Sequence, residues 1–174
     1  EAEEASAAWG ASVARSDSPG AQERSRQERL LFAFHANALS AIENLAYGLC
    51  AMGEMVRPEA FPVTRCPKTM TIRFAADTFT REFPPESLGA VLDATDRAEE
   101  MNELREIRNA LLHRGTPGRK FSVDTASTGP SARGTTTWLK RSLTVGMTAG
   151  LLDWLIGALN EILIVANDFA EAKL

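Results

Sequence analysis

The sequence predicts an all-α protein, a helical bundle with long antiparallel helices and a small irregular or hairpin insertion. Three stretches repeat apolar residues every three or four positions with no proline inside them, which is the pattern of amphipathic helices. They cover residues 21–56, 86–114 and 144–172. Because 174 residues are the size of one domain, we expect a single helical-bundle domain over residues 21–174.

The first half of the chain contains one long predicted helix between two irregular segments. Residues 1–20 are rich in Ala, Ser, Glu and Gly and end in a Pro-Gly turn signal, so we expect a tail or a short helix there. Residues 21–56 form the first long helix. Residues 57–87 contain five prolines and an alternating run at 69–74, which predict an irregular crossover with a short extended piece.

The second half begins with another helical segment and continues into the insertion. Residues 86–114 resume the helical pattern, and we predict a break in it around Thr95–Arg97. Beyond it, Lys120–Val123 and Thr135–Leu139 flank a stretch rich in Gly, Pro and Ser. The insertion at about residues 119–140 is therefore predicted to be a small hairpin or a mobile flap.

The last predicted helix, residues 144–172, has apolar residues on nearly every face. Such a helix must be buried on all sides, either in the centre of a bundle or half against another copy of the chain. With about three long helices to cover it, we favour a homodimer. Its most apolar stretch, Leu151–Val165, contains Asp153, Asn160 and Glu161 and is shorter than the ~20 residues of a membrane span. We therefore expect a buried helix and no membrane partner.

Charge is distributed unevenly along the chain. The net charge is −4, which argues against a protein that binds nucleic acid or membrane over its whole surface. From Arg105 to Arg141, however, eight Lys and Arg residues stand against two acidic residues, a net charge of +6, and the remaining residues carry −10. This concentration of positive charge suits an anionic ligand at one place.

The cysteines and the first residues suggest a reducing compartment. Cys50 and Cys66 do not form a disulfide framework, and no Cys/His cluster has the spacing of a zinc site, so we expect neither a metal nor another cofactor. The first residues lack the basic start and apolar middle of a signal peptide, and we expect a cytoplasmic protein. His35 is interpreted as a packed or partly wet helix residue.

Two ionisable residues project from the apolar stripes of their predicted helices. Glu43 lies one turn from Leu39 and Ala46, and Arg108 lies one turn from Leu104 and from the leucines at 111 and 112. Burying either charge alone would cost several kcal/mol, so we expect the two to meet. Either Glu43 orients Arg108 toward a phosphate, or the pair merely fixes the register of the two helices. The sequence favours neither reading.

His113 closes the helix that carries Arg108. It follows Arg108 by five residues, about 140° further around the helix, and Asn109 lies one turn before it. A histidine in the last turn meets the negative end of the helix dipole, which favours the imidazolium. It can then donate a proton or hold a phosphate. The alternative is a simple C-terminal capping histidine.

The run from Arg108 to His113 resembles the Arg-x4-His motif of the HEPN families, helical-bundle proteins that include RNA-cutting toxins and defence nucleases. The resemblance implies that Arg108 and His113 are the motif residues and that Asn109 fills the polar position after the arginine. In nuclease members two such motifs face each other across a homodimer cleft and cut RNA without a metal. Three cations follow the motif: Arg114, Arg119 and Lys120. They are either phosphate contacts or ordinary charge at the end of a helix.

The sequence thus predicts a HEPN-like, metal-independent endoribonuclease of the toxin or defence type. Its catalytic residues are Arg108, His113 and the supporting Asn109, and Glu43 is the orienting residue. If the protein is the toxin of a toxin–antitoxin pair, a neutralising partner protein is to be expected. The alternative is a non-catalytic HEPN-like dimer that binds a nucleotide, RNA or protein through the same basic pocket. In a third reading the domain is purely structural and Arg108 is completely buried.

Overall fold

The described part of the chain is an all-α helical bundle with one small sheet. The computed structural model describes residues 21–63, 70–84, 86–114, 120–123, 134–138, 141–142 and 145–174. Its helices are α1 (Ala21–Val56), α2 (Ile72–Glu82), α3 (Leu88–Arg97), α4 (Glu99–Arg114) and α5 (Val145–Lys173), and its strands are β1 (Lys120–Val123), β2 (Gly134–Trp138) and β3 (Arg141–Ser142). The predicted tail or short helix at residues 1–20 lies outside the described residues.

Two compact units divide the chain. The first contains the described residues of Glu1–Ala36 and Glu106–Asp153, and the second contains those of Asn37–Arg105 and Trp154–Leu174. The helices α1, α4 and α5 each contribute residues to both units.

The sheet belongs to the first unit and lies where the sequence predicts a hairpin. Strands β1 and β2 pair antiparallel from Lys120 opposite Thr137 to Val123 opposite Gly134. The two-residue strand β3 pairs antiparallel with β2 on its other side, with Arg141 opposite Trp138. This third strand was not predicted.

The long helices were predicted nearly to the residue. Helix α1 has the predicted bounds, and α5 runs one residue beyond the predicted range at its end. The predicted break around Thr95–Arg97 falls at Ala98, whose backbone turns to φ −58° and ψ 145°. The Ala98 N–H donates to the Thr95 carbonyl at 3.3 Å, which closes α3 before α4 begins.

The crossover contains a helix that the sequence analysis missed. The extended piece predicted at residues 69–74 is wrong from residue 72 onward, because α2 begins at Ile72. Thr71 caps this helix, since its hydroxyl accepts a hydrogen bond from the Phe74 N–H at 3.2 Å. Ile72, Ala75 and Phe79 then follow at a helical spacing and are fully buried.

A cluster of phenylalanines forms the centre of the second unit. Phe61 from the turn after α1 packs against Phe79 with ring centroids 4.8 Å apart, and Phe79 meets Phe169 of α5 edge to face at 5.3 Å. Phe83 completes the cluster at 4.9 Å from Phe169. Edge-to-face pairs of this kind add about 0.5–1.5 kcal/mol each to the area that they bury.

Helix α5 is only partly covered by the described chain. One line of its residues is buried and includes Leu151, Leu155, Ile162 and Phe169. Other apolar residues remain exposed: Leu152, Ile156, Leu163 and Ile164. Among the described residues, Gly146–Lys173 is the one helical stretch long and apolar enough by composition to cross a membrane, and 28% of its most apolar window is buried.

Helices α2 and α3 pack closely, and Gly89 marks the closest approach. A β-carbon at Gly89 would lie 2.6 Å from the backbone nitrogen of Thr80 and 2.9 Å from its Cα, besides meeting its hydroxyl. Backbone atoms of a neighbouring helix cannot yield as a flexible side chain does. Only glycine permits this distance between the two helices.

Gly89→Ala is therefore expected to lower the free energy of unfolding by about 1–3 kcal/mol through overpacking. Gly48→Ala is the matched control, because a β-carbon there meets nothing within 4 Å in the exposed middle of α1. We expect it to stabilise the protein by about 0.5–1 kcal/mol. Urea unfolding of both variants checks the contrast, and equal effects would contradict it.

Candidate functional site

The predicted motif lies on the last turns of α4. Leu104 and Ile107 are buried, Arg108 beside them is half-buried, and Asn109 is exposed. The helix ends at Arg114, so the backbone places His113 in its last turn. The side chains of His113 and Arg114 lie outside the described residues. Of the predicted catalytic residues, Arg108 and Asn109 thus have surfaces that a ligand can reach.

The other predicted site residues are distributed over the chain. Glu43 is half-buried on α1 beside the buried Ile42 and belongs to the second unit, whereas Arg108 belongs to the first. Their ion pair stays a prediction. Arg119 lies outside the described residues, and Lys120 begins β1, where its side chain is also outside them.

A buried carboxylate ties the end of α3 to α4. The side chain of Asp96 is 9% exposed. One guanidinium nitrogen of Arg105 donates a hydrogen bond to that carboxylate, and another donates to the Asp96 carbonyl oxygen at 3.1 Å. The carbonyl is one of those left without a helical partner at the end of α3. Arg105 therefore closes α3 and neutralises its last carboxylate at once.

Arg73 of α2 extends this network to a third helix. Its guanidinium lies 3.6 Å from the second oxygen of Asp96 and donates to Asp93 at 3.1 Å. Asp93 also accepts from Arg97 at 2.9 Å, one helical turn away. Asp77, followed by Asp93 and Asp96, raises the pKa of the Arg73 guanidinium above its ordinary value. These contacts hold α2, α3 and the start of α4 together.

One part of the network around Asp96 has a signal in the sequence and the other part has none. Arg73–Asp77 and Asp93–Arg97 have the i, i+4 spacing of helical ion pairs and were detectable. Asp96 and Arg105 are nine residues apart across a helix break, a spacing to which no helical period points. Arg105 is one of the cations that give residues 105–141 their positive charge, and it serves a structural contact.

Asp96→Ala is expected to lower the free energy of unfolding by about 2 kcal/mol. The loss is smaller than that from breaking a fully buried ion pair, because 35% of the Arg105 side chain is exposed to water. Asp77→Ala is the matched control, since Asp77 pairs with the same Arg73 but is 55% exposed. We expect its effect to stay below about 0.5 kcal/mol. Denaturant unfolding distinguishes the two, and a larger loss at Asp77 would refute the argument.

His35 and Cys50 are both buried in α1. The Nδ1 atom of His35 lies 2.7 Å from the Leu31 carbonyl and donates to it, which agrees with the interpretation of a packed helix residue. Burial raises the pKa of the Cys50 thiol to about 12, so the thiol is neutral at physiological pH. Cys66 lies outside the described residues.

An open cleft of about 450 Å³ lies on the second unit, and its described lining includes none of the predicted site residues. Its charged lining includes Asp77, Glu86 and Asp93 beside Arg81 and Arg97. Asp93 and Arg97 are already paired with each other. A wall of mixed sign whose charges are engaged does not select a phosphate. Within the described residues, no group of three or more His, Cys, Asp or Glu side chains is placed to hold a metal ion.

No protein-family model matches the chain, and neither a curated protein nor a solved structure is significantly similar to it. What stands is the class of fold, an all-α helical bundle.

Proposed function

We propose that this protein is a HEPN-like, metal-independent endoribonuclease of the toxin or defence type, with its active site in the cleft of a homodimer. The observation that carries the proposal is the position of the Arg-x4-His motif. Helix α4 ends one residue after His113, and the exposed Asn109 and half-buried Arg108 lie one turn and about one and a half turns before it. The motif thus lies at the end of a helix in an all-α fold.

The chemistry assigned to these residues is an internal transesterification. The ribose 2′-oxygen attacks the adjacent phosphorus and loses its proton to a base, while the bond from phosphorus to the 5′-oxygen breaks. The departing 5′-oxygen takes up a proton, and the products are a 2′,3′-cyclic phosphate and a 5′-hydroxyl. His113 transfers protons, and Arg108 donates hydrogen bonds to the phosphorane-like transition state.

Electrostatics supports an anionic substrate at this end of α4. Residues 105–141 carry a net charge of +6 in a chain whose net charge is −4. The negative end of the helix dipole favours protonated His113 by up to about 2 kcal/mol in sheltered geometries. Half-burial of Arg108 favours the catalytic reading over the structural one, which requires complete burial of that side chain.

Cleavage of a mixed RNA substrate in EDTA tests the proposal. We expect the wild type to leave cyclic phosphate ends, and we expect Arg108→Ala and His113→Ala to lower the cleavage rate about a hundredfold or more. Asn102→Ala is the control for folding, because Asn102 is exposed on the same helix two turns before Asn109. It is expected to cleave at the wild-type rate.

Circular dichroism and the oligomeric state of each variant establish that the fold is intact. No cleavage by the folded wild type would refute the nuclease and leave the alternative, a non-catalytic dimer that binds a nucleotide, RNA or protein. This alternative is identified when the wild type binds RNA without cleaving it and Arg108→Ala no longer binds RNA. Equal loss of cleavage in Asn102→Ala would contradict the assignment of the site to the end of α4.

A further inference from the structure

The first turns of α1 present a short row of two cations and one aromatic ring. Arg26, Arg29 and Phe32 follow one another at spacings of three residues, and we call these three residues the α1 patch. Both arginines are exposed, and Phe32 is 43% exposed. At 100° and 1.5 Å per residue, the row covers about one third of the helix circumference and rises about 4.5 Å from one residue to the next. The three side chains therefore share one exposed side of α1.

The two guanidinium groups of the α1 patch are not engaged within the protein. Among the residues that the structure describes, the side chains of Arg26 and Arg29 have neither an ion pair nor a hydrogen bond. The guanidinium groups of Arg73 and Arg105, in contrast, are bound to carboxylates. From residue 24 to residue 37, three arginines stand against one carboxylate. The α1 patch thus offers free positive charge to an anionic ligand.

Phe32 gives the α1 patch a property that cations alone lack. An exposed aromatic ring beside arginines is the combination with which proteins hold single-stranded nucleic acid. The cations bind phosphates, and the ring stacks on an unpaired base. A base inside a duplex is already stacked on both of its faces and does not offer this contact. The α1 patch therefore suits a single strand and not a duplex.

The apolar side of α1 argues against a membrane as the ligand. A helix that lies on a membrane inserts a broad apolar face between the lipid headgroups. The apolar side of α1 is buried in the protein and includes Leu31, Leu39 and Ile42. On the exposed side, Phe32 is followed by the small residue Ala33. A single ring offers too little apolar area to hold the helix in lipid.

We propose that the α1 patch is a binding site for the single-stranded RNA substrate, in which Arg26 and Arg29 bind phosphates and Phe32 stacks on an unpaired base. The patch and Arg108 of the motif belong to the same compact unit, the first one. The inference rests on the proposed nuclease for the identity of the ligand as RNA. It adds contacts that bind the substrate and take no part in the cleavage step.

Fluorescence anisotropy of the full chain with a labelled single-stranded oligonucleotide tests the stacking contact. The probe has about 12 nucleotides, and its 2′-O-methyl riboses lack the attacking hydroxyl, so it cannot be cleaved. We expect Phe32→Leu to raise the Kd at least about fivefold through the loss of stacking, and we expect Phe32→Trp to retain the affinity. Tyr47→Leu is the matched control, because Tyr47 is 42% exposed on the same helix but belongs to the second unit. It is expected to bind the probe like the wild type.

A salt titration of the same binding tests the phosphate contacts. Each phosphate contact with a single strand contributes about 0.7 to the slope of log affinity against log salt concentration, so Arg26→Ala combined with Arg29→Ala is expected to lower this slope by about 1.4. Phe32→Leu is expected to leave the slope unchanged, because the ring carries no charge. Arg57→Ala is the matched control, since Arg57 is exposed on the second unit and its side chain has no partner within the described part of the chain. It is expected to change neither the affinity nor the slope.

Several results would overturn the proposal. The first is a wild type that does not bind the probe, and the second is equal affinity for the probe and for its duplex. The third is unchanged binding by patch variants whose fold is intact by circular dichroism, or an equal loss of binding in Arg57→Ala and Tyr47→Leu. A wild type that binds phosphatidylserine vesicles through Phe32 and does not bind the probe would assign the α1 patch to a membrane instead.

The binding site and the nuclease fail separately. Probe binding that is lost in the patch variants of a protein that does not cleave RNA supports the site and refutes the nuclease. Cleavage of RNA by a protein whose patch variants bind the probe like the wild type does the reverse.

Discussion

The buried carboxylate of Asp96 is the interaction on which the arrangement of helices in the second unit depends. An isolated carboxylate out of water costs several kcal/mol, so it is tolerated only where cations reach it. Arg105 and Arg73 reach it from the start of α4 and from α2, and both must keep their helices in place to do so. The constraint is strong because it acts at the break between α3 and α4, where the continuous helical ladder that would otherwise set their direction is absent.

Arg105 and Arg108 lie one turn apart on α4 and belong to different units. Arg105 is committed to the end of α3 through two hydrogen bonds to Asp96. Arg108 follows beside buried Leu104 and Ile107, and the helix then continues to Arg114.

Periodicity gave the long helices because α1, α4 and α5 bury continuous apolar lines that leave a signal over many turns. Helix α2 escaped because it has 11 residues, follows a proline-rich stretch and begins with alternating Ile72, Arg73 and Phe74, which mimics a strand until Ala75 and Ala76 are considered. The motif at Arg108 and His113 was proposed from the spacing of these two residues, and it stays a prediction. The Asp96–Arg105 contact was not, because its geometry is set by a turn at Ala98 and by no repeat.

Composition alone does not separate a membrane span from a helix that packs on two sides, and α5 satisfies the length and hydropathy of both. The angular distribution of its side chains does separate them. A span needs apolar residues around its whole circumference in the hydrocarbon, whereas α5 has two apolar lines and, between them, a face with Asp153, Glu161 and Asp168. One line meets the phenylalanine cluster through Phe169, and the other carries Ile156 and Leu163 into solvent. Ile164 lies on the same face as these carboxylates, so the exposed part of α5 mixes apolar and charged side chains, a mixture that hydrocarbon does not tolerate.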